Sequence, residues 1–218
     1  TGLYYYFKEQ GGSINPDYKP MKNKPRDLYI ITTAMKRDSL EWVGELANFR
    51  LSTDPKKNAL NGGVSITIDS WNNIKKYSNT YGAFFIFDED RVTGGGAWVK
   101  AFLKIANKNK WIILSATPGD TYEQYWPVFV ANGFYKNKSE FCREHIIYSR
   151  YTKWPQIDRY VGNKKLDKLR DMILIDMDFE RSTKSHHEDV YVQYDVRKYK
   201  EAIKNRWDPY KNEPIQQA

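Results

Sequence analysis

Residues 84 to 91 read Phe-Phe-Ile-Phe-Asp-Glu-Asp-Arg, an apolar run that ends abruptly in three acids. An aspartate at the tip of a strand can hold Mg2+, directly or through water, because this ion takes oxygen ligands and keeps several waters. A glutamate beside it can orient or deprotonate a water that attacks a phosphate. Asp88 and Glu89 suit those two roles, with Asp88 as the metal ligand. The plainer reading is a pair of strand-terminal acids that cap or bind lysine. A third reading, a Mg2+-dependent nuclease built on Asp88, Glu89 and Asp90, lacks a convincing lysine nearby and leaves the next motif unexplained.

That motif is WIILSATPGD, residues 111–120. Here an apolar run ends in small hydroxylated residues, Ser115 and Thr117, followed by a Pro118-Gly119 turn. Asp120 stands three residues before Glu123, the spacing of a capping box. Hydroxyls at this position could hydrogen-bond the acids at 88 and 89 and sense a bound phosphate; an ordinary strand-turn-helix junction is the alternative.

The elements that must position these residues follow from periodicity. Strands are expected over 27–33, 63–68, 82–87 and 110–116, and the third, apolar on both faces, belongs in a sheet covered on both sides. Helices are expected over 36–50, with Leu40, Val43, Leu46, Ala47 and Phe49 on the buried face, and over 69–78, opened by Asp69 or Ser70, and 96–106. Such alternation argues for an α/β fold with a mostly parallel central sheet flanked by helices. In such sheets functional residues gather at the carboxyl ends of the strands, where Thr32-Thr33, Asp88-Glu89 and Ser115 to Thr117 all fall. Further helices are expected over 123–134, 138–147, 163–173 and 197–207, a strand over 188–196, and a Pro- and Lys-rich loop over 15–27.

Composition narrows the partner. The 218 residues carry a net charge of +8 with 17 Tyr and 7 Trp, many of them close to Lys or Arg. A basic surface suits a polyanion such as nucleic acid, although charge alone also fits a merely basic soluble protein. A single cysteine, Cys142, excludes an internal disulfide and a cysteine-based zinc site. His186-His187 lie in a charged stretch and read as solvated loop. With no signal peptide and no apolar run near the roughly 20 residues of a membrane span, an intracellular protein with no membrane partner is expected.

Taken in order, the motifs resemble the first, RecA-like lobe of P-loop NTPase-type motors of helicase superfamily 2, in its chromatin-remodeller-like branch. Residues 29–49 (YIITTAMKRDSLEWVGELANF) look like motif Ia, residues 64–77 (VSITIDSWNNIKKY) like motif Ib, FFIFDEDRV like the DExx box and WIILSATPGD like motif III. The stretch GGGAWVKAFLKIANKNKWIILSATPGD is especially similar to helicase-like proteins of tailed bacteriophages.

The resemblance implies ATP and Mg2+ as cofactors, with Asp88 coordinating the ion and Glu89 positioning the hydrolytic water. Ser115 and Thr117 would couple the nucleotide state to the nucleic acid. Thr33, Ala34 and Lys36, with Asp69 and Ser70, would border a DNA track, single- or double-stranded; Trp71 reads better as core. It also implies a lobe over residues 1–180, a segment 181–218 leading to a second lobe of the same parent chain, and a cytoplasmic location, in the host if phage-encoded.

Two departures stand out. The fourth DExx position, often His, is Arg91, preceded by the third acid Asp90. No G-x-x-x-x-G-K-[ST] loop occurs, and no Gly is followed by Lys; Gly94-Gly95-Gly96 follows the acidic motif and reads as a turn. TGLYYYFKEQ looks like the helix after such a loop, so the loop is expected just before Thr1, and the chain alone is expected to hydrolyse little ATP. The alternative is a nucleotide-independent nucleic-acid- or protein-binding module derived from such a lobe.

Overall fold

Phe84–Asp88 form β3, whose five residues are all buried. Successive strand residues point to opposite faces, and each face of β3 has its own core. Phe85 and Phe87, with Ile31, pack against Trp71, Phe102, Ile105 and Phe129. Phe84 and Ile86, with Leu28 and Ile30, pack against Leu3, Tyr6, Phe7, Leu46 and Phe49. A strand apolar on both faces therefore sits between two layers of helix, as its sequence requires.

The computed structural model describes residues 2–22, 24–89, 92–115, 119–175, 193, 195–208 and 212–214. The chain forms two compact units, Thr1–Ile175 and Asp176–Ala218. In the first, β1 (Leu28–Thr32), β2 (Ile66–Ser70), β3 and β4 (Lys110–Leu114) make a parallel sheet in the order β2-β1-β3-β4. Helix α1 (Gly2–Glu9) and the pair α2 (Ala34–Asp38) and α3 (Glu41–Ala47) precede and follow β1. A 3-10 helix, Trp71–Tyr77, follows β2, and α4 (Ala97–Ala106) links β3 to β4. α1 and α3 contribute to one core, the 3-10 helix and α4 to the other. The fold is thus the expected α/β class, consistent with a RecA-like lobe.

Beyond β4 come α5 (Trp126–Ala131), α6 (Lys138–His145), an antiparallel hairpin of β5 (Ile146–Tyr148) and β6 (Ile157–Tyr160), and α7 (Asn163–Ile173). Among the described residues of the second unit, α8 (Val196–Asn205) is capped by Asp195, whose carboxylate accepts from the amides of Arg197 and Lys198. It leads into a two-residue ladder of β7 (Trp207–Asp208) with β8 (Glu213–Pro214). No helix among the described residues is long and apolar enough to cross a membrane.

Several boundaries differ from the sequence reading. The helix expected over 36–50 is broken at Ser39 and Leu40: the Ser39 hydroxyl donates back to the Lys36 carbonyl, and Leu40 takes a left-handed φ of 60°. Leu40 is consequently 63% exposed, and Val43 and Ala47 are exposed too, while Leu46 and Phe49 are buried. β2 begins at Ile66 and not at Gly63, because Gly62 and Gly63 both adopt positive φ in a turn that no strand residue could share. Ile146 and Ile147, expected in a helix, start β5, where β-branched side chains fit better. Asp120 forms no capping box; its amide donates to the Gln124 side chain instead, and Thr121 precedes the short 3-10 helix Tyr122–Tyr125. The strand expected over 188–196 lies largely outside the described residues.

Phe102 ties α4 to the sheet, meeting Phe87 and Trp111 edge-on at centroid distances of 5.1 and 5.2 Å. Phe102→Ala removes a fully buried ring, and the expected loss of about 3–5 kcal/mol is measurable by urea denaturation followed by far-UV circular dichroism.

Candidate functional site

The sheet order has a mechanical consequence at the carboxyl ends. From β1 the chain turns through α2 and α3 to β2 on one side; from β3 it turns through α4 to β4 on the other. The two connections diverge, opening a crevice between the ends of β1 and β3, the place where open α/β sheets bind ligands. Asp88 and Glu89 stand on one side of that crevice, Thr32 to Lys36 on the other.

Strand parity then decides which side chains meet. Ile31 pairs with Phe87 across the ladder, so Thr32 and Asp88 are the next residues on each strand. Both share the face of Ile30 and Ile86, towards α1 and α3. The Thr32 hydroxyl donates to Asp88 Oδ2 at 2.8 Å. Lys36 Nζ reaches the same oxygen at 3.2 Å, and Trp42 Nε1 donates to it at 3.1 Å. From the opposite face, Trp71 Nε1 donates to the Asp88 carbonyl at 3.0 Å. The carboxylate is only 8% exposed as a residue, and this donor set offsets the desolvation that burial imposes.

Glu89 is reached differently. It takes φ 59°, in the left-handed region that disfavours residues other than glycine by about 1–2 kcal/mol. Its amide still bonds the Leu114 carbonyl of β4 at 2.9 Å. The kink swings its carboxylate to Lys36 Nζ at 3.1 Å, so one ammonium bridges both acids. Burial draws the Lys36 ammonium down, but hydrogen bonds to Glu89 and Asp88 and the charges of both acids outweigh it. The net effect is a pKa above the ordinary 10.5.

Asp69 occupies the other face of β2 and a different network. It accepts from the Ser70 amide, the Asn73 amide group and the Tyr77 hydroxyl, each at 2.7 Å, and pairs with Arg37 at 3.5 Å. Burial raises its pKa, yet these hydrogen bonds and the charge of Lys76 prevail and hold it below the ordinary 3.8. Ser70, fully buried, receives Arg37 Nη1 at 3.5 Å. Thr33 caps α2, its hydroxyl accepting from the Lys36 amide at 3.3 Å, and Ala34 is exposed beside it.

The residues expected at the site therefore divide. Asp88, Glu89 and Lys36 form one cluster, with Thr33 fixing the helix that carries Lys36. Asp69 and Ser70 form a second, joined to α2 through Arg37. Ser115 lies exposed, one residue past Leu114, the ladder partner of Asp88. Thr117 lies outside the described residues. Trp71 is core, packed on Phe87. Sequence reasoning placed Thr32 at a functional strand end without pairing it with Asp88, and missed Trp42. Strand parity could have found the Thr32 contact; Trp42 follows the break at Leu40.

The chain stands by itself in comparison: no protein-family model, curated protein or solved structure matches it.

A divalent ion fits the donor chemistry. The described side-chain contacts of Asp88 converge on Oδ2, and Mg2+ held through one carboxylate and several waters makes no larger demand on the protein. Among the described residues no group of three or more His, Cys, Asp and Glu side chains gathers as an all-protein cage.

Because the folded-state pKa of Asp69 is depressed, its contribution to stability is present above 3.8 and is lost as pH falls through the lower folded value. Asp69→Asn lowers stability at neutral pH and flattens the acid limb of a plot of urea midpoint against pH; an unchanged limb contradicts the network.

Proposed function

We propose that the chain is the first motor lobe of an ATP-dependent DNA helicase or translocase, a chromatin-remodeller-like member of superfamily 2. The observation that carries the reading is the meeting of Asp88 and Glu89 with Thr32 and Lys36 in the crevice where the strand connections diverge. The same residue types in the same chain order underlie the resemblance of the DExx and Ia-like motifs.

In this reading Asp88 would hold the magnesium of Mg-ATP, and the bound nucleotide supplies the phosphoryl group. Glu89, lifted out of the strand by its left-handed backbone, orients the attacking water and accepts its proton. Lys36 holds both carboxylates in place through its two ion pairs. Thr32 and Trp42 fix the rotamer of Asp88. The Arg37–Asp69 pair joins α2 to β2, so Thr33 and Ala34 border the DNA track, with Ser70 buried behind Arg37. Ser115 and Thr117 couple the two sites.

The sequence holds no phosphate-binding lysine loop; in this reading such a loop and a second lobe would come from elsewhere in a parent protein. The outer position of β4 supports this. Trp111 to Leu114 are apolar and only half-buried at the sheet edge, and Gly2 approaches Ile112 and Leu114 so closely that an added methyl would lie 3.2 and 3.0 Å from them. A preceding strand running into α1 would cover that edge. A cytoplasmic location, in the host if the protein is phage-encoded, goes with this function.

A second reading, a binding module without an engine, draws on the Lys36 bridge, which already pairs with both acids. One experiment separates the two. The protein expressed from its full reading frame is expected to hydrolyse ATP in the presence of Mg2+, faster with DNA, and Glu89→Gln is expected to lower turnover by about a hundredfold or more while ATP binding persists. DNA binding indifferent to Mg-ATP, with no turnover, would establish the module.

A further inference from the structure

The hairpin of β5 and β6 carries a tip, Ser149 to Gln156, with the sequence Ser-Arg-Tyr-Thr-Lys-Trp-Pro-Gln. Tyr151 is 99% exposed and Trp154 76%. Arg150 and Lys153 alternate with them, both exposed, and the tip contains no acid. The nearest acid in the chain, Asp158, is engaged by Arg159 at 3.2 Å. Two large aromatic faces left mostly in water on one tip form an apolar surface that a partner could cover.

The tip is shaped before any partner arrives. The Ser149 amide donates to the Gln156 carbonyl at 2.8 Å and closes the loop. The Thr152 hydroxyl donates to the Trp154 carbonyl at 2.8 Å, and the Tyr151 amide donates to the Ser149 hydroxyl at 3.3 Å. Pro155 fixes its own φ and biases Trp154 to extended backbone.

The base is equally fixed. Ile146 is buried, and His145 Nδ1 donates to the Val161 carbonyl at 2.8 Å, leaving Nε2 to accept the Tyr135 hydroxyl at 2.7 Å. Val161 in turn donates its amide to the His145 carbonyl at 2.9 Å. A rigid stem thus presents a preordered tip, and preorganisation lowers the entropy lost on binding.

We propose that this hairpin tip is a binding site for single-stranded nucleic acid, with Tyr151 and Trp154 stacking on bases and Arg150 and Lys153 neutralising the adjoining phosphates. Exposed aromatics alternating with cations and free of acids match the chemistry of a strand whose bases are unpaired: each base offers a π-face and each linkage one negative charge. A duplex hides its base faces, so the site discriminates against it. Neither the acidic pair nor nucleotide takes part, and the inference stands whether or not the ATPase reading holds.

The test is fluorescence anisotropy of labelled oligo-dT, oligo-rU and a duplex with the purified protein. Tight binding of the single strands over the duplex is expected, with Trp154→Ala and Tyr151→Ala each weakening it on the order of tenfold. Trp154→Phe should retain most of the affinity. Arg150→Gln with Lys153→Gln should reduce the salt dependence by about 0.7 in log-log slope for each phosphate that is no longer neutralised. Because the tip is exposed, the variants are expected to keep the wild-type circular dichroism and melting. Oligonucleotide binding unchanged in the Tyr151→Ala/Trp154→Ala double variant overturns the proposal. So does a wild-type protein that ignores single strands but binds phosphatidylserine vesicles through the same aromatics.

Discussion

A carboxylate placed at the end of a fully buried strand must find donors or lose its charge. Asp88 meets that demand with a hydroxyl, an ammonium and an indole from three successive parts of one connection, β1, α2 and α3. Those contacts hold the connection, broken at Leu40, against the end of β3. They also fix which side of the sheet Lys36 faces, and Lys36 then determines where Glu89 can rest. The whole crevice is organised around one oxygen, Asp88 Oδ2.

The same oxygen links packing to chemistry. The hydrophobic layers on either face of β3 hold the strand rigid up to Phe87, and the backbone leaves strand geometry only at Glu89, in a strained left-handed turn. Strain at that residue is tolerated because the Leu114 carbonyl and the Lys36 ammonium hold it from both sides. Rigid to one residue and kinked at the next, the strand sets two acids at different depths: one buried and fully oriented, the other raised toward solvent.

Much of the fold is legible in the sequence because period-two and helical patterns are strong where both faces of an element are committed. β1, β3 and α4 fall within a residue or two of their expected bounds. The less legible parts are a local bond that the apolar spacing masks and interactions distant in sequence. Ser39 bonds back to Lys36 and ends a helix whose apolar spacing continues to Phe49. Thr32, in sequence only a strand end, lies beside Asp88 by register and not by motif. The hairpin tip is invisible as a unit in the sequence, since exposure of Tyr151 and Trp154 is a property of the folded chain and not of the string.

In the proposed function Asp88 holds the magnesium of a bound nucleotide between the ends of β1 and β3, with Glu89 beside it. The most direct measurement replaces Mg2+ by Fe2+ in the full-length protein with ATP, adds ascorbate, and maps backbone cleavage by mass spectrometry. Cleavage next to Thr33 and Glu89, suppressed by excess Mg2+ and lost in Asp88→Asn, is the predicted result. Cleavage elsewhere, or the same cuts in Asp88→Asn, would contradict the account.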